Sequence, residues 1–384
     1  MASSFEPDDA ARRLAAQATR PPRIVLRGSA RARGREYGTH MAERIERSLQ
    51  AYRLLFETCR IDWQQAVALA RPLEVHVARH FPHLLEELHG IAEGCGADYG
   101  SLLALNSRTE ILPPNYLALA TEGLVSESAD ECTAFATARA GEAVLLAQNW
   151  DWVGMQRDAL VLIESHPDDG PAHLTVAEAG MLAKIGFNEH GFGVTLNILR
   201  STRDGSQDGV PIHMLLRGLL DCRDLAQARE RVAAMQFAGS SNVLMADAGG
   251  SIASLEASPA GARFVEADQG RLCHTNHFLD PELAEHEANL ASSLSTEVRL
   301  RTARACIDAV HDVPTAVSLL SDTSCGLESI CRFPDASLPL HARIETVLGV
   351  IMDLSDRTMH LSGAQPSESA FEAVLLSDAP DGLQ

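Results

Sequence analysis

The chain has 384 residues, 46% of them hydrophobic and 22% charged, a globular composition with ample length to bury a core. Acidic residues outnumber Lys and Arg by 52 to 32, a net charge of −20, and a field of that sign repels a phosphate backbone, which argues against nucleic acid as a partner. No apolar run approaches the roughly 18 residues of a membrane span, and Met1 to Arg20 mixes Glu6, Asp8 and Asp9 with Arg12 and Arg13 rather than forming a signal-peptide centre; no membrane is expected, and the cytoplasm is the default location.

The first 112 residues read as mostly helical. Met41, Ile45, Leu49, Tyr52 and Phe56 recur at helical spacing, as do Leu84, Leu88 and Ile91 before Gly94. Pro82 suits a helix start, where its missing donor matters little. A third helical stretch follows Ser101 and stops at the Pro113-Pro114 break. Thr121 to Asp130 is polar and rich in small residues, the pattern of an exposed loop.

Short β-type runs then dominate: Cys132 to Thr137, Val144 to Gln148, Leu160 to Glu164, Leu174 to Ala177 and Gly193 to Ile198. The intervening turns are too short for crossover helices, so antiparallel pairing is expected. Helices return at Pro211 to Cys222 and Leu225 to Met235. Strands follow at Asn242 to Ala246, Ile252 to Ala257 and Arg263 to Glu266, then a helix near Thr296 to Val310, and strands at Thr346 to Asp353 and Thr358 to Leu361 close the pattern. The tail from Ser362 to Gln384 reads as mildly low in complexity. Runs of strands alternating with runs of helices imply a layered α+β fold.

Several sites are missing from the sequence: a G-x-x-x-x-G-K-[ST] phosphate loop, a G-x-S-x-G elbow and an H-E-x-x-H helix. No cofactor is expected. His274 and His277 beside Cys273 lack a second ligand cluster of suitable spacing, so no metal is expected and a structural role is the better reading. The eight cysteines are dispersed, without C-x-x-C pairs, and are expected to be reduced.

One segment stands apart. Cys132 opens a strand directly after the predicted loop, so a chain break between Glu131 and Cys132 would give the cysteine an α-amine of its own. That amine has a reference pKa near 7.7–8.0 and the thiol near 8.5, so one residue can supply both nucleophile and proton acceptor.

Asp130-Glu131-Cys132-Thr133 and Gln148-Asn149-Trp150-Asp151-Trp152 are preceded by Gly90-Ile91-Ala92-Glu93-Gly94 and Leu105 to Ile111. They are followed by Glu178-Ala179-Gly180, Ile185 to Asn188, Gly209-Val210-Pro211, Glu256 to Pro259, His274 to His277 and Ser329 to Arg332. In this order, from about residue 35 to about 361, the motifs resemble the acyl-coenzyme A:isopenicillin N acyltransferase family of autoproteolytic N-terminal nucleophile hydrolases. The resemblance implies a four-layer αββα sandwich of two antiparallel sheets, an α subunit of 1–131 and a β subunit of 132–384 that stay together after cleavage. It assigns Cys132 as nucleophile, Asp151 as the acid orienting the cysteine and its amine, Asn276 as oxyanion-hole lining and Arg332 as a buried cation paired with Asp151. Ser258, Asn197 and Thr133 are further candidates for lining the site. Penicillin-type fungal members carry glycine before the cysteine, where this chain has Glu131, which bears on the rate of self-cleavage.

Taken singly, Asn276 also fits a turn, Asp151 a strand end and Arg332 a surface ion pair. The implied activity is hydrolysis of a small acyl amide through a thioester acyl-enzyme. The alternatives are acyl transfer from a coenzyme A thioester or an amide to an amine, and a binding protein that keeps the fold without chemistry.

Overall fold

The computed structural model describes residues 20–113, 132–205, 208–288, 294–338 and 343–377. The first element corrects the helical reading of the N-terminal region: β1 (Arg23–Gly28) alternates buried Ile24 and Leu26 with exposed Arg23, Val25 and Arg27, the period-2 pattern of a half-covered strand. Helices α1 (Ala30–Thr58), α2 (Trp63–Ala70), α3 (Glu74–His80), α4 (Pro82–Cys95), α5 (Tyr99–Asn106) and α6 (Arg108–Ile111) follow. Their ends carry the expected signals. Asp62 and Gln65 form a capping box on α2, Pro82 takes the first turn of α4, and Gly96 ends α4 at φ 74°, where a side chain would be strained.

The α1 and α4 helices meet backbone to backbone. A Cβ added at Gly34 would press on the Glu87 carbonyl and one at Gly38 on the Ile91 carbonyl; reciprocally, Gly90 meets the Arg31 carbonyl and Gly94 the Arg35 carbonyl. Two glycine pairs at i, i+4 thus form flat strips that allow this approach. Beside them Arg33 donates to Glu87 at 2.7 Å, both side chains buried, an ion pair affordable only because each charge meets its partner.

After residue 132 come β2 (Thr133–Thr137), β3 (Leu145–Val153), β4 (Leu160–Pro167), β5 (His173–Glu178), β6 (Ile185–Asn188), β7 (Phe192–Val194) and β8 (Asn197–Ile198). Then follow α7 (Ile212–Leu219), α8 (Leu225–Val232), β9 (Ser241–Asp247), β10 (Ile252–Ser258), β11 (Gly261–Glu266) and β12 (Arg271–His274). The chain finishes with α9 (Pro281–Ala284), α10 (Leu294–Cys306), α11 (Val313–Leu320), β13 (Ile344–Asp353), β14 (Thr358–Ser362) and β15 (Phe371–Leu375). The last strand lies within the tail read as low in complexity; of its residues only Val374 is buried, and pairing with β14 defines it.

Among the described residues the strands make two sheets, one of nine strands ordered β1-β4-β5-β6-β7-β9-β10-β11 with β8 on β9, and one of six ordered β12-β2-β3-β13-β14-β15. All pairings are antiparallel except β1 with β4, which a crossover through the N-terminal helices permits. The sheets face each other through β2 and β3 on β9, β12 on β10 and β13 on β6. Helix α1 covers the outer face of the nine-stranded sheet at β1 and β4; α10 and α11 cover the six-stranded sheet at β2, β12, β3 and β13. The result is an αββα sandwich, the fold class expected.

Strand alternation sorts β3 by face. Leu146, Trp150 and Trp152 join the large apolar core, while Leu145 and Ala147 pack with Phe135, Leu300 and Ala303 under α10. Among the described residues no helix is long and apolar enough to cross a membrane.

Alanine normally gains about 1 kcal/mol over glycine in a helix, whereas overpacking against fixed atoms costs about 1–3 kcal/mol. We therefore expect Gly38→Ala and Gly90→Ala each to lower the unfolding free energy in urea by about 1–3 kcal/mol. Unchanged or raised stability in both would show that α1 and α4 are not in backbone contact.

Candidate active site

Cys132 immediately precedes β2, 5% exposed, and every polar atom of its backbone is engaged by a side chain from a distant part of the chain. Its N–H donates to Asn276 Oδ1 at 2.7 Å. Its carbonyl accepts from Arg299 Nη1 at 2.7 Å and Asn197 Nδ2 at 3.0 Å. Its Sγ lies 3.8 Å from the Asp151 carbonyl oxygen.

Asn276 follows β12 on a loop tied to α10. Its N–H donates to Thr296 Oγ1 at 2.9 Å, and the Thr275 hydroxyl donates to the Thr296 carbonyl at 3.0 Å. The orientation of its amide is set by its neighbours: Cys132 N–H and Arg299 Nη2, the latter at 3.1 Å, are donors facing one atom, and the Ile198 carbonyl is an acceptor 2.9 Å from the other. Oxygen therefore faces Cys132. One N–H of the Asn276 amide donates to the Ile198 carbonyl.

Asp151 sits on β3, where Thr346 opposite it belongs to a β-bulge between Thr346 and Leu348. Thr346 Oγ1 donates to Asp151 Oδ1 at 2.6 Å and accepts from the Arg332 backbone N–H at 2.9 Å. Arg332 is half-buried, and its backbone N–H is linked to Asp151 through the Thr346 hydroxyl. A positive charge acting on Asp151 comes from Arg299, which sequence reasoning missed.

Arg299 is fully buried on α10 and also donates to Thr133 Oγ1 at 3.1 Å. One signal pointed to it: Thr296, Leu300 and Ala303 trace the buried stripe of α10, and an arginine at position 299 falls on that stripe, where a charge needs a reason.

Of the remaining candidates, Thr133 contacts Arg299, and Asn197 holds the Cys132 carbonyl while accepting from Asn242 Nδ2 at 3.0 Å. The hydroxyl of Ser258 instead accepts the Ala260 N–H at 3.2 Å and serves the β10–β11 turn. Glu131 lies outside the described residues. His274 and His277 are bound to Glu256 and Thr296, and among the described residues no cluster of three or more His, Cys, Asp or Glu is placed to hold a metal.

Burial governs the electrostatics. It pushes the Cys132 thiol up to about 11, with the nearby Asp151 adding to the rise and Lys184 opposing it. Burial raises Asp151 to about 8 against the charge of Arg299 and the Thr346 hydrogen bond, and it lowers Arg299 to about 10. Asp151 Oδ2 is buried and has no hydrogen-bond partner among the described residues. Behind the thiol, Lys184 Nζ lies 3.7 Å from the Trp150 ring centre and 3.7 Å from Glu178 Oε2.

Residues 138–368 match the family described as acyl-coenzyme A:6-aminopenicillanic acid acyl-transferase. Over 212 residues the chain is 30% identical to the 40 kDa form of acyl-coenzyme A:6-aminopenicillanic-acid-acyltransferase from Emericella nidulans, covering 55% of this chain and 56% of that protein. The chain thus spans about half the length of this curated relative. Among solved structures it is similar to the C2A mutant of conjugated bile acid hydrolase from Clostridium perfringens, at 12% identity and TM-score 0.46 over 64% of this chain and 92% of that one. It is also similar to penicillin V acylase from Agrobacterium tumefaciens, at 14% identity and TM-score 0.40 over 60% and 82%. Likenesses at this level bear on neither substrate nor chemistry.

The raised Asp151 carboxyl has a consequence for stability. An unfolded aspartate titrates near 3.9 and the folded one at about 8, so between those values the folded chain holds a proton that the unfolded chain has lost. The stabilisation is complete below about pH 4, falls as pH rises and is gone above about pH 8. In a Cys132→Ala background, Asp151→Asn should therefore gain on its parent with rising pH, by at most about 1.4 kcal/mol per pH unit. Urea titrations from pH 4.5 to 8 test this; parallel curves for the two chains would refute it.

Proposed function

Since the chain belongs to the acyl-coenzyme A:6-aminopenicillanic acid acyl-transferase family, we propose that it is a self-processing amide hydrolase whose nucleophile is Cys132. The observation that carries the reading is the Cys132 nitrogen, a buried backbone group held by the side chain of Asn276 at 2.7 Å. Any buried backbone N–H needs an acceptor, and a side-chain oxygen at this distance can serve the same nitrogen as an amide and as the α-amine that cleavage would free.

In the processing step the Cys132 thiol attacks the carbonyl carbon of residue 131. The carbon–nitrogen bond breaks, the thiol proton passes to the departing nitrogen, and a thioester joins residue 131 to Sγ. Water then hydrolyses the thioester, leaving a carboxylate at Glu131 and a free amine and thiol on Cys132. Residues 1–131 and 132–384 stay associated, because α1 and α4 pack into the same apolar core as β2, β3 and β4.

The new amine remains beside Asn276 Oδ1, and as an ammonium it gives the unfilled Asp151 Oδ2 a charge to interact with. A cation so close lowers the thiol from the high value that burial imposes in the intact chain. During turnover the amine takes the thiol proton, Sγ attacks the substrate carbonyl, and the ammonium returns the proton to the leaving amine. Asn197 Nδ2 holds the Cys132 carbonyl, which keeps the nucleophile in place while negative charge develops on the substrate oxygen. Water releases the acyl group. A net charge of −20 favours substrates with a neutral or cationic amine portion over anionic coenzyme A thioesters. Acyl transfer to an amine is the second reading, favoured by the name of the Emericella nidulans relative.

Purified protein should resolve into two chains, the second beginning at Cys132, and Cys132→Ala should stay uncut. Intact mass and N-terminal sequencing decide this; an uncut chain that is fully active would refute the amine as base. With a panel of acyl amides and acyl-coenzyme A donors, each with and without an added amine, acid release from simple amides should dominate. Efficient amide formation from a coenzyme A thioester with little hydrolysis would replace hydrolase by transferase.

A further inference from the structure

The loop that presents Asn276 is fixed from the opposite sheet by one carboxylate. Glu256, on β10, is fully buried and reaches across to the end of β12. Its Oε1 accepts from His274 Nε2 at 2.7 Å and from the Leu279 N–H at 2.6 Å, and its Oε2 accepts from the Asp280 N–H at 3.0 Å. Three bonds to one carboxylate thus hold both ends of the 274–280 segment, with Asn276 between them.

The other ring nitrogen of His274, Nδ1, lies 2.8 Å from the Thr275 carbonyl oxygen. A carbonyl only accepts, so Nδ1 carries a proton. A carboxylate receiving two backbone N–H groups also acts as acceptor, so Nε2 carries one too. Both ring nitrogens of the completely buried His274 thus face acceptors, and Glu256 is its ion-pair partner. Burial opposes the charge on Glu256, yet the His274 bond and charge and the two backbone donors outweigh it and hold the carboxyl below its usual range. For His277, three residues on, burial first and then the His274 charge lower the pKa to about 4, so it stays neutral against Thr296 Oγ1 at 2.9 Å.

We propose that Glu256 is a positioning residue for the Cys132 site, acting through the His274 ring and the 279–280 backbone to set Asn276 against the Cys132 nitrogen. The proposal rests on the reading of Cys132 as nucleophile. A buried ion pair is not needed merely to join two sheets, since apolar side chains of similar volume do that as well or better. Its directional bonds instead fix where a loop lies, and a loop displaced by about 1 Å can reduce turnover about 10²-fold.

Glu256→Gln tests this, because the amide keeps the volume but turns one acceptor into a donor that opposes a backbone N–H or changes the proton on His274. Self-cleavage and kcat per folded molecule should fall at least tenfold with KM changed less than twofold, and Glu256→Asp, which keeps the charge, should recover most of the loss. His274→Gln should reproduce the defect if Glu256→Gln does not fold. A lowered Tm with unchanged cleavage and kcat would overturn the proposal in favour of a purely structural pair. Side-chain nitrogen NMR on the uncut Cys132→Ala chain is independent of processing: it should show both ring N–H protons of His274 in the parent and the loss of one in Glu256→Gln. Two protons in both chains, or one in both, would also overturn it. A wild-type chain that neither self-cleaves nor turns over would refute the hydrolase reading while the NMR result still reported on the ion pair.

Discussion

The side-chain oxygen of Asn276 is shared between two donors, the Cys132 N–H and the Arg299 guanidinium, and the rest of the site is arranged so that this sharing can occur. A hydrogen bond to a charged group contributes about 1.5–3 kcal/mol, and a buried donor left without its acceptor costs a similar amount. Moving Asn276 would thus strand a buried backbone N–H and part of a buried arginine together. Both the loop from β12 and the stripe of α10 that carries Thr296 and Arg299 are fixed by that requirement.

Cys132, Asp151 and Arg299 are each displaced by burial towards the neutral form. A latent thiol is the result in the intact chain, since thiolate is the nucleophile and a thiol at about 11 supplies very little of it near neutrality. On the proposed function, cutting the chain is what changes this, because it replaces a neutral amide nitrogen by an amine that can carry charge. Activation then needs no rearrangement of the fold, only a new charge at an atom already held in place.

Much of this fold was legible because period and punctuation agreed. The strands around Leu160, Leu174, Asn242 and Ile252 and the helices after Pro82 and Pro211 lie where their apolar spacing and prolines put them. β1 escaped because six residues that alternate beside a long helix carry little signal alone; parallel pairing to β4, more than 130 positions away, makes them a strand. At the site, Cys132 and Asp151 are marked by the change of sequence pattern at residue 132, where the loop expected over Thr121 to Asp130 lies outside the described residues, and by an acid between two tryptophans. Arg299 is read as an ordinary charge on a helix until the face it occupies is known. The orientation of the Asn276 amide depends on donors from β2 and α10 and an acceptor at Ile198, and no local pattern encodes it.

These elements divide the work between the two sheets. On the proposed function the six-stranded sheet carries the reacting atoms, with Cys132 at the head of β2 and Asp151 on β3. The facing nine-stranded sheet adds polar groups that hold the Cys132 carbonyl and the Asn276 loop: Asn197 on β8, Asn242 on β9, and Ser254 and Glu256 on β10. Ser254 donates to Asn242 Oδ1, Asn242 Nδ2 donates to Asn197, and Asn197 donates to the Cys132 carbonyl, so one chain of hydrogen bonds crosses the seam as Glu256 crosses it nearby. Apolar residues could pack the same seam, but they would leave the sheets free to slide by fractions of an ångström. Directional bonds across the core remove that freedom at the place where, on the proposed function, a nucleophile and its amine keep a fixed geometry.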